Sequence, residues 1–175
     1  MSKLRNLLAV PVAALIVTLT GCAAITPQEY TPAPVQLAKQ HPQTVSVSVQ
    51  AKDMGDAERT KTESANMTAA LSDAITASKA FSGVLKEGGD YKLTVQVFNQ
   101  TVPVMGFSMS TTLEMGWTLT RKDTGAVVWQ ESIKTEHTTG ATEAFSGAER
   151  VKMAISASVK KNYVEGLKRI AALQL

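Results

Sequence analysis

Cys22, His41 and His137 are the only cysteine and histidines among 175 residues, so metal or thiol chemistry would have to start from them. A zinc site needs several Cys or His ligands at short characteristic spacings, and none of the three has such a neighbour. Both histidines therefore read as surface residues, His41 in a linker and His137 at a strand end. Gly106-Phe107-Ser108-Met109-Ser110 has the outline of a nucleophile elbow but ends in Ser instead of Gly. An elbow also needs a sharp strand-to-helix turn, whereas Ser108 falls within an alternating segment. The glycines between Gly83 and Gly89 lack the GxxxxGK[ST] spacing that cradles phosphate. Glu114, Glu131 and Glu136 fall on neighbouring strands, where pairing with Lys134 or Arg121 accounts for them without acid/base catalysis. No enzyme and no cofactor is expected.

Cys22 has a distinctive setting. Lys3 and Arg5 precede an apolar run from Leu7 to Leu19, followed by Thr20 and Gly21. This is the layout of an export signal, and a run of about a dozen residues broken by Pro11 is too short to span a bilayer. Leu19-Thr20-Gly21-Cys22 resembles the lipobox of bacterial lipoproteins. The resemblance implies cleavage before Cys22, a diacylglycerol thioether on its sulfur and an acylated amino terminus, so a covalent lipid would be the only attached group. Two or more chains, at about 0.8 kcal/mol per buried CH₂, anchor a protein stably. Ala23 in place of Asp implies, by the same resemblance, delivery to the outer membrane with the domain facing the periplasm.

Loss of residues 1–21 takes Lys3 and Arg5 with it, leaving 16 basic against 15 acidic residues. A nearly neutral chain offers no footprint for nucleic acid. With its one thiol lipidated it forms no disulfide, so stability must come from a core. Residues 22–43 carry Pro27, Pro32, Pro34 and Pro42 without a sustained period and read as a tether, leaving 44–175 as a single domain. Such a tether would span roughly 25 Å as coil and about 70 Å fully extended.

The elements follow from periodicity. Val45, Val47 and Val49 alternate with polar residues, as do Tyr91, Leu93, Val95 and Val97, predicting two strands. Met67, Leu71, Ala74, Ile75 and Ser78 share one face of a helix over about 64–79. Met105, Phe107, Met109, Leu113, Met115, Trp117 and Leu119 all occupy odd positions, which predicts a long strand with one apolar and one polar face. Asp123-Thr124-Gly125 then turns it into a hairpin with 127–137. Val151, Ile155, Val159, Tyr163, Leu167 and Ile170 align on a last helix, over about 142–173, that Gly147 and Gly166 are expected to kink or fray. The order β-α-β-β-β-α predicts an α+β domain with two helices on the apolar face of a mixed or antiparallel sheet.

Two surface features could bind something. Arg150, Lys152, Lys160, Lys161, Lys168 and Arg169 line the last helix, as a solvated face or as a contact for an anionic partner. Met105, Phe107 and Met109 either enter the core or, if the strand projects past the helices, form an exposed apolar patch for a partner.

The alternating "MSTTLEMGWTLTRKDTGAVVWQESI" hairpin, the "AFSGAERVKMAISASVKKN" helix start and the lipobox resemble a group of small bacterial lipoproteins, mostly of unknown role. In topology the chain also looks like α/β lipoprotein domains that assist envelope machines, such as activators of peptidoglycan synthases and the periplasmic part of the curli secretion channel. These resemblances imply a membrane-anchored accessory module that binds an envelope protein. The alternative is a carrier holding an apolar ligand between sheet and helices, lined by Met115, Trp117, Met67 and Leu71.

Overall fold

The computed structural model describes residues 24–102 and 106–175. Five strands, β1 (His41–Gln50), β2 (Phe81–Leu85), β3 (Tyr91–Gln100), β4 (Met109–Arg121) and β5 (Val127–Thr139), form one sheet in the order β2-β1-β3-β4-β5. β1 is parallel to β2 and β3, and β3-β4-β5 is an antiparallel meander. Helices α2 (Ala57–Ser78) and α3 (Gly147–Ala171) cover one face, α2 over β1 and β2, and α3 over β4 and β5. The expected α+β class holds, with a short helix, α1 (Pro27–Tyr30), and strand β2 added to the expected order.

The period-two pattern of β4 reads directly as burial. Leu113, Met115, Trp117 and Leu119 enter the core beside Leu93, Val95 and Ile133, and meet Leu71 and Ile75 of α2 and Tyr163 and Leu167 of α3. Both helices start at polar caps: Asp56 accepts from the Arg59 N–H and Ser146 from the Glu149 N–H, each satisfying an otherwise unpartnered donor. Gly166, expected to weaken α3, instead lets it approach the sheet. A Cβ there would lie 2.5 Å from the Trp117 ring.

Strand β2 lacks an alternating signature because it is short, and the chain leaves it by stepping across β1. Residues 86–90 carry the chain from β2, on one side of β1, to β3 on the other. At the crossing, a Cβ on Gly89 would sit 2.6 Å from the Ser46 nitrogen and the Val45 carbonyl carbon. The Gly88-Gly89 pair thus serves a backbone crossing, not a phosphate.

Residues 24–40, expected to form part of a tether, pack against the domain. Thr26-Pro27-Gln28-Glu29 forms a capping box with Pro at the first helical position. Tyr30 is fully buried and donates to the Glu63 carboxylate of α2. Asn66 donates to the Ile25 carbonyl at 3.0 Å, and Glu29 pairs with Lys152 of α3 at 2.7 Å. Further along, the Val35 N–H reaches the Ser78 hydroxyl at 2.8 Å and Lys39 reaches the Leu173 carbonyl at 3.3 Å. His41, expected at the surface, is buried at the start of β1 with Nε2 2.9 Å from the Ile170 carbonyl and its ring against Phe81. The physical reason is a crevice between α2 and α3, helices that touch little directly, which α1 fills.

Burial raises the Glu63 carboxyl above its usual 4.5, against the lowering contributions of the Tyr30 hydroxyl and Arg59. Between 4.5 and that raised value the folded state binds more protons than the unfolded one, so stability falls as pH rises through the window. Glu63→Gln keeps an acceptor for Tyr30 and removes the half-buried charge. The variant should lose this fall and be at least as stable as wild type at pH 7, measured by urea midpoints from pH 4 to 8; a steeper decline in the variant would contradict the assignment.

Candidate interaction surfaces

The sheet face opposite the helices is uncovered by any described element. From β3 it presents Lys92, Thr94, Gln96 and Phe98, from β4 Ser110, Thr112, Glu114, Thr118 and Thr120, and from β5 Gln130, Ser132, Lys134, Glu136 and Thr138. These side chains are exposed or half-buried. Side chains tie neighbouring strands together: Ser110 and Thr138 hydroxyls are 2.7 Å apart, and Ser132 donates to Glu114 at 2.8 Å. Phe98 lies over Gly116, whose missing side chain makes room for the ring, and puts an aromatic platform on a mostly polar face. Hydroxyl-rich and uncovered, this surface can exchange hydrogen bonds with another protein surface.

The edges are less open. Outer β5 meets α3 side chains: Asn162 donates to the Ile133 carbonyl at 2.8 Å, Lys161 to the Glu136 carbonyl at 3.0 Å, and Arg169 pairs with Glu131. These contacts occupy part of the edge that strand addition would use. At the other edge, β2 offers only five residues. Side-chain pairing across the open face is therefore better provided for than strand addition.

The basic residues of α3 are largely committed within the fold. Arg150 donates to the Ala141 and Ala144 carbonyls, Lys152 holds Glu29, and Arg169 holds Glu131 and Glu165. A groove of about 550 Å³ between β5 and α3 is lined by Lys134, Lys160, Lys161, Glu165 and Arg169 among others, and carries both signs of charge. The three carboxylates singled out from sequence do not converge: Glu114 and Glu136 face the open side, while Glu131 pairs with α3.

The apolar trio divides. Met109 is buried, its Cε 3.6 Å from where a Gly147 Cβ would be, so its place is in the packing under the start of α3 rather than in a patch. Phe107 is 88% exposed. Met105, like Cys22, lies outside the described residues. At the same end of the domain stands a residue that periodicity did not single out, Phe145, which is wholly exposed. A capping pattern does flag it: Ser146 is the N-cap of α3, so Phe145 holds the preceding position, where an apolar side chain normally staples onto the fourth helical residue. That residue is Arg150, and the staple has no apolar partner.

The lining proposed for a carrier is filled. Met115, Trp117, Met67 and Leu71 are buried. Trp117 packs edge-on to Tyr163 at 6.2 Å, tilted against Trp129 at 6.3 Å, and close to Gly166, and its Nε1 donates to Asn162 at 2.9 Å.

The sequence matches no family model and no curated protein. Its fold does have counterparts among solved structures. A DUF330 protein from Xanthomonas campestris is 15% identical over 81% of this chain and 94% of its own, with a TM-score of 0.59. A hypothetical protein from Chlamydia trachomatis is 10% identical over 77% and 96%, with a TM-score of 0.54. PelC from Paraburkholderia phytofirmans, which forms a dodecamer, is 13% identical over 82% and 95%, with a TM-score of 0.51. Bacterial lipoproteins from Neisseria meningitidis and Acinetobacter baumannii also resemble it, at TM-scores below 0.5 that carry no further weight. At these identities the likeness is one of fold, a small α+β domain.

Proposed function

We propose that the chain is a lipid-anchored, non-enzymatic accessory protein of the bacterial envelope, held by Cys22 in the outer membrane, whose periplasmic domain binds an envelope protein through its open sheet face. The observation that carries the reading is the pairing of a filled core with an uncovered polar face that bears one aromatic platform, Phe98. A carrier would need Met115, Trp117, Met67 and Leu71 to line a cavity, and they pack within the core instead. The signal-like segment before Cys22 supplies the address.

A photo-crosslinking residue at Thr118, centred on the open face, should capture a defined envelope protein in intact cells. The same residue at exposed Ala69 of α2 should not. Equal or no capture from both positions, with lipid co-purifying, would sink the reading. Cys22→Ser tests the anchor separately and should move the protein from the membrane to the soluble periplasmic fraction.

A further inference from the structure

From the exposed aromatic tips and the course of the N-terminal segment, we infer that the end of the domain carrying Phe107 and Phe145 seats in the lipid surface. The inference rests on the lipid anchor of the preceding reading and adds an orientation to it.

β1, β3 and β5 end, β4 begins, and α2 and α3 start at one end of the domain. The apolar side chains exposed in the loops there are Met54, Val102, Phe107 and Phe145. Phe107 and Phe145 flank one contact in the chain: each is two residues in sequence from the approach of Met109 to Gly147. Neither has a partner available from its own element. Met109 has turned inward, and the fourth residue of α3, where an apolar staple partner for Phe145 would stand, is Arg150. Two exposed aromatics at one tip form the kind of patch that marks a contact with a membrane or a protein.

The N-terminal segment favours the membrane. Followed backwards from β1, it passes the C-terminal ends of α2 and α3 at Ser78 and Leu173. It then reaches Glu63 and Asn66 of α2 and Lys152 of α3, in the halves of the helices that start at the aromatic end. Ile25 is held there, three residues from Cys22, so the acylated residue lies within about 11 Å of it. Docking of this segment therefore keeps the domain close to the bilayer, and its hold on the halves of α2 and α3 that start at the aromatic end favours that end facing the lipid, where Phe side chains can enter the interfacial layer.

Cys22 is the sole cysteine, so once it is acylated an introduced cysteine is the only free thiol. Nitroxide is attached to Ser108→Cys, beside Phe107, or to Thr124→Cys in the β4–β5 turn at the opposite end. The lipidated protein is then placed in phosphatidylethanolamine–phosphatidylglycerol vesicles. The Ser108 label should collide severalfold more with oxygen, relative to an aqueous nickel chelate, than the Thr124 label. Adding Phe107→Ser and Phe145→Ser, both at exposed positions, should return it to water without releasing the protein. A Ser108 label that is aqueous from the outset, or unmoved by the two substitutions, overturns the inference. So does mutual broadening of Ser108 labels, which would mean that a second copy covers the tip. If mass measurement finds Cys22 unacylated, the anchor reading fails together with this one; an acylated Cys22 with an aqueous label fails this one alone.

Discussion

Trp117→Ala should lower the unfolding free energy by about 3–5 kcal/mol, the usual cost of emptying a large aromatic site. Domains of this size have about 5–15 kcal/mol to lose, so the variant should be close to its folding limit. Trp117 lies in the middle of β4, fully buried, with its indole N–H on Asn162, and Asn162 also satisfies the Ile133 carbonyl. Removing the ring therefore opens a cavity and strands one side of a buried amide. Gly166→Ala probes the same contact from α3. Alanine favours a helix over glycine by about 1 kcal/mol, but a Cβ 2.5 Å from the ring should cost about 1–3 kcal/mol by overpacking. The two should couple: Gly166→Ala should destabilise wild type and stabilise the Trp117→Ala background. Urea melts of the four proteins measure this, and additive effects would refute the close packing.

Tyr30→Ala should release residues 24–40 from the domain while the sheet and the two long helices stay folded. Tyr30 is the largest buried side chain of the segment, wedged between α2 and α3. Its loss also leaves the half-buried Glu63 carboxylate without its donor. The polar ties that remain include the Ile25 carbonyl bond, the Val35 bond, the Lys39–Leu173 bond and the Glu29–Lys152 pair, and exposed ion pairs contribute at most about 1 kcal/mol. Amide exchange in 24–40 should accelerate far more than exchange in β3 and β4, and protease should cut there first. Unchanged exchange in 24–40 would show that Tyr30 does not hold the segment. In the lipidated protein, release would lengthen the reach from Cys22 to β1 to about 65 Å and free the domain's orientation.

Legibility followed the range of the forces involved. The odd-even register of 109–119 was readable because a strand shows alternate residues to opposite faces wherever it sits, and a helix repeats its buried stripe every turn. Those local rules were enough for β1, β3, β4, β5, α2 and α3 and for the sheet's polar face. They failed at Phe81–Leu85, a strand too short to show a period, and at residues 25–41, whose prolines suggested an extended tether. The capping box at Thr26–Glu29 marked a helix start, but burial of Tyr30 depends on α2 and α3, which lie far apart in the chain, and burial of His41 on Phe81 and Ile170.

By itself, then, the sequence determined the anchor motif as an expectation, the α+β class and which side of each long strand faces water. Only the tertiary structure assigned Met109 to the core and left Phe107 and Phe145 in solvent, and only it turned Gly166 from a helix weakener into a contact for Trp117. Periodicity reports which face of an element is apolar. Whether an apolar residue at the end of that element finds a partner depends on what distant segments bring to meet it.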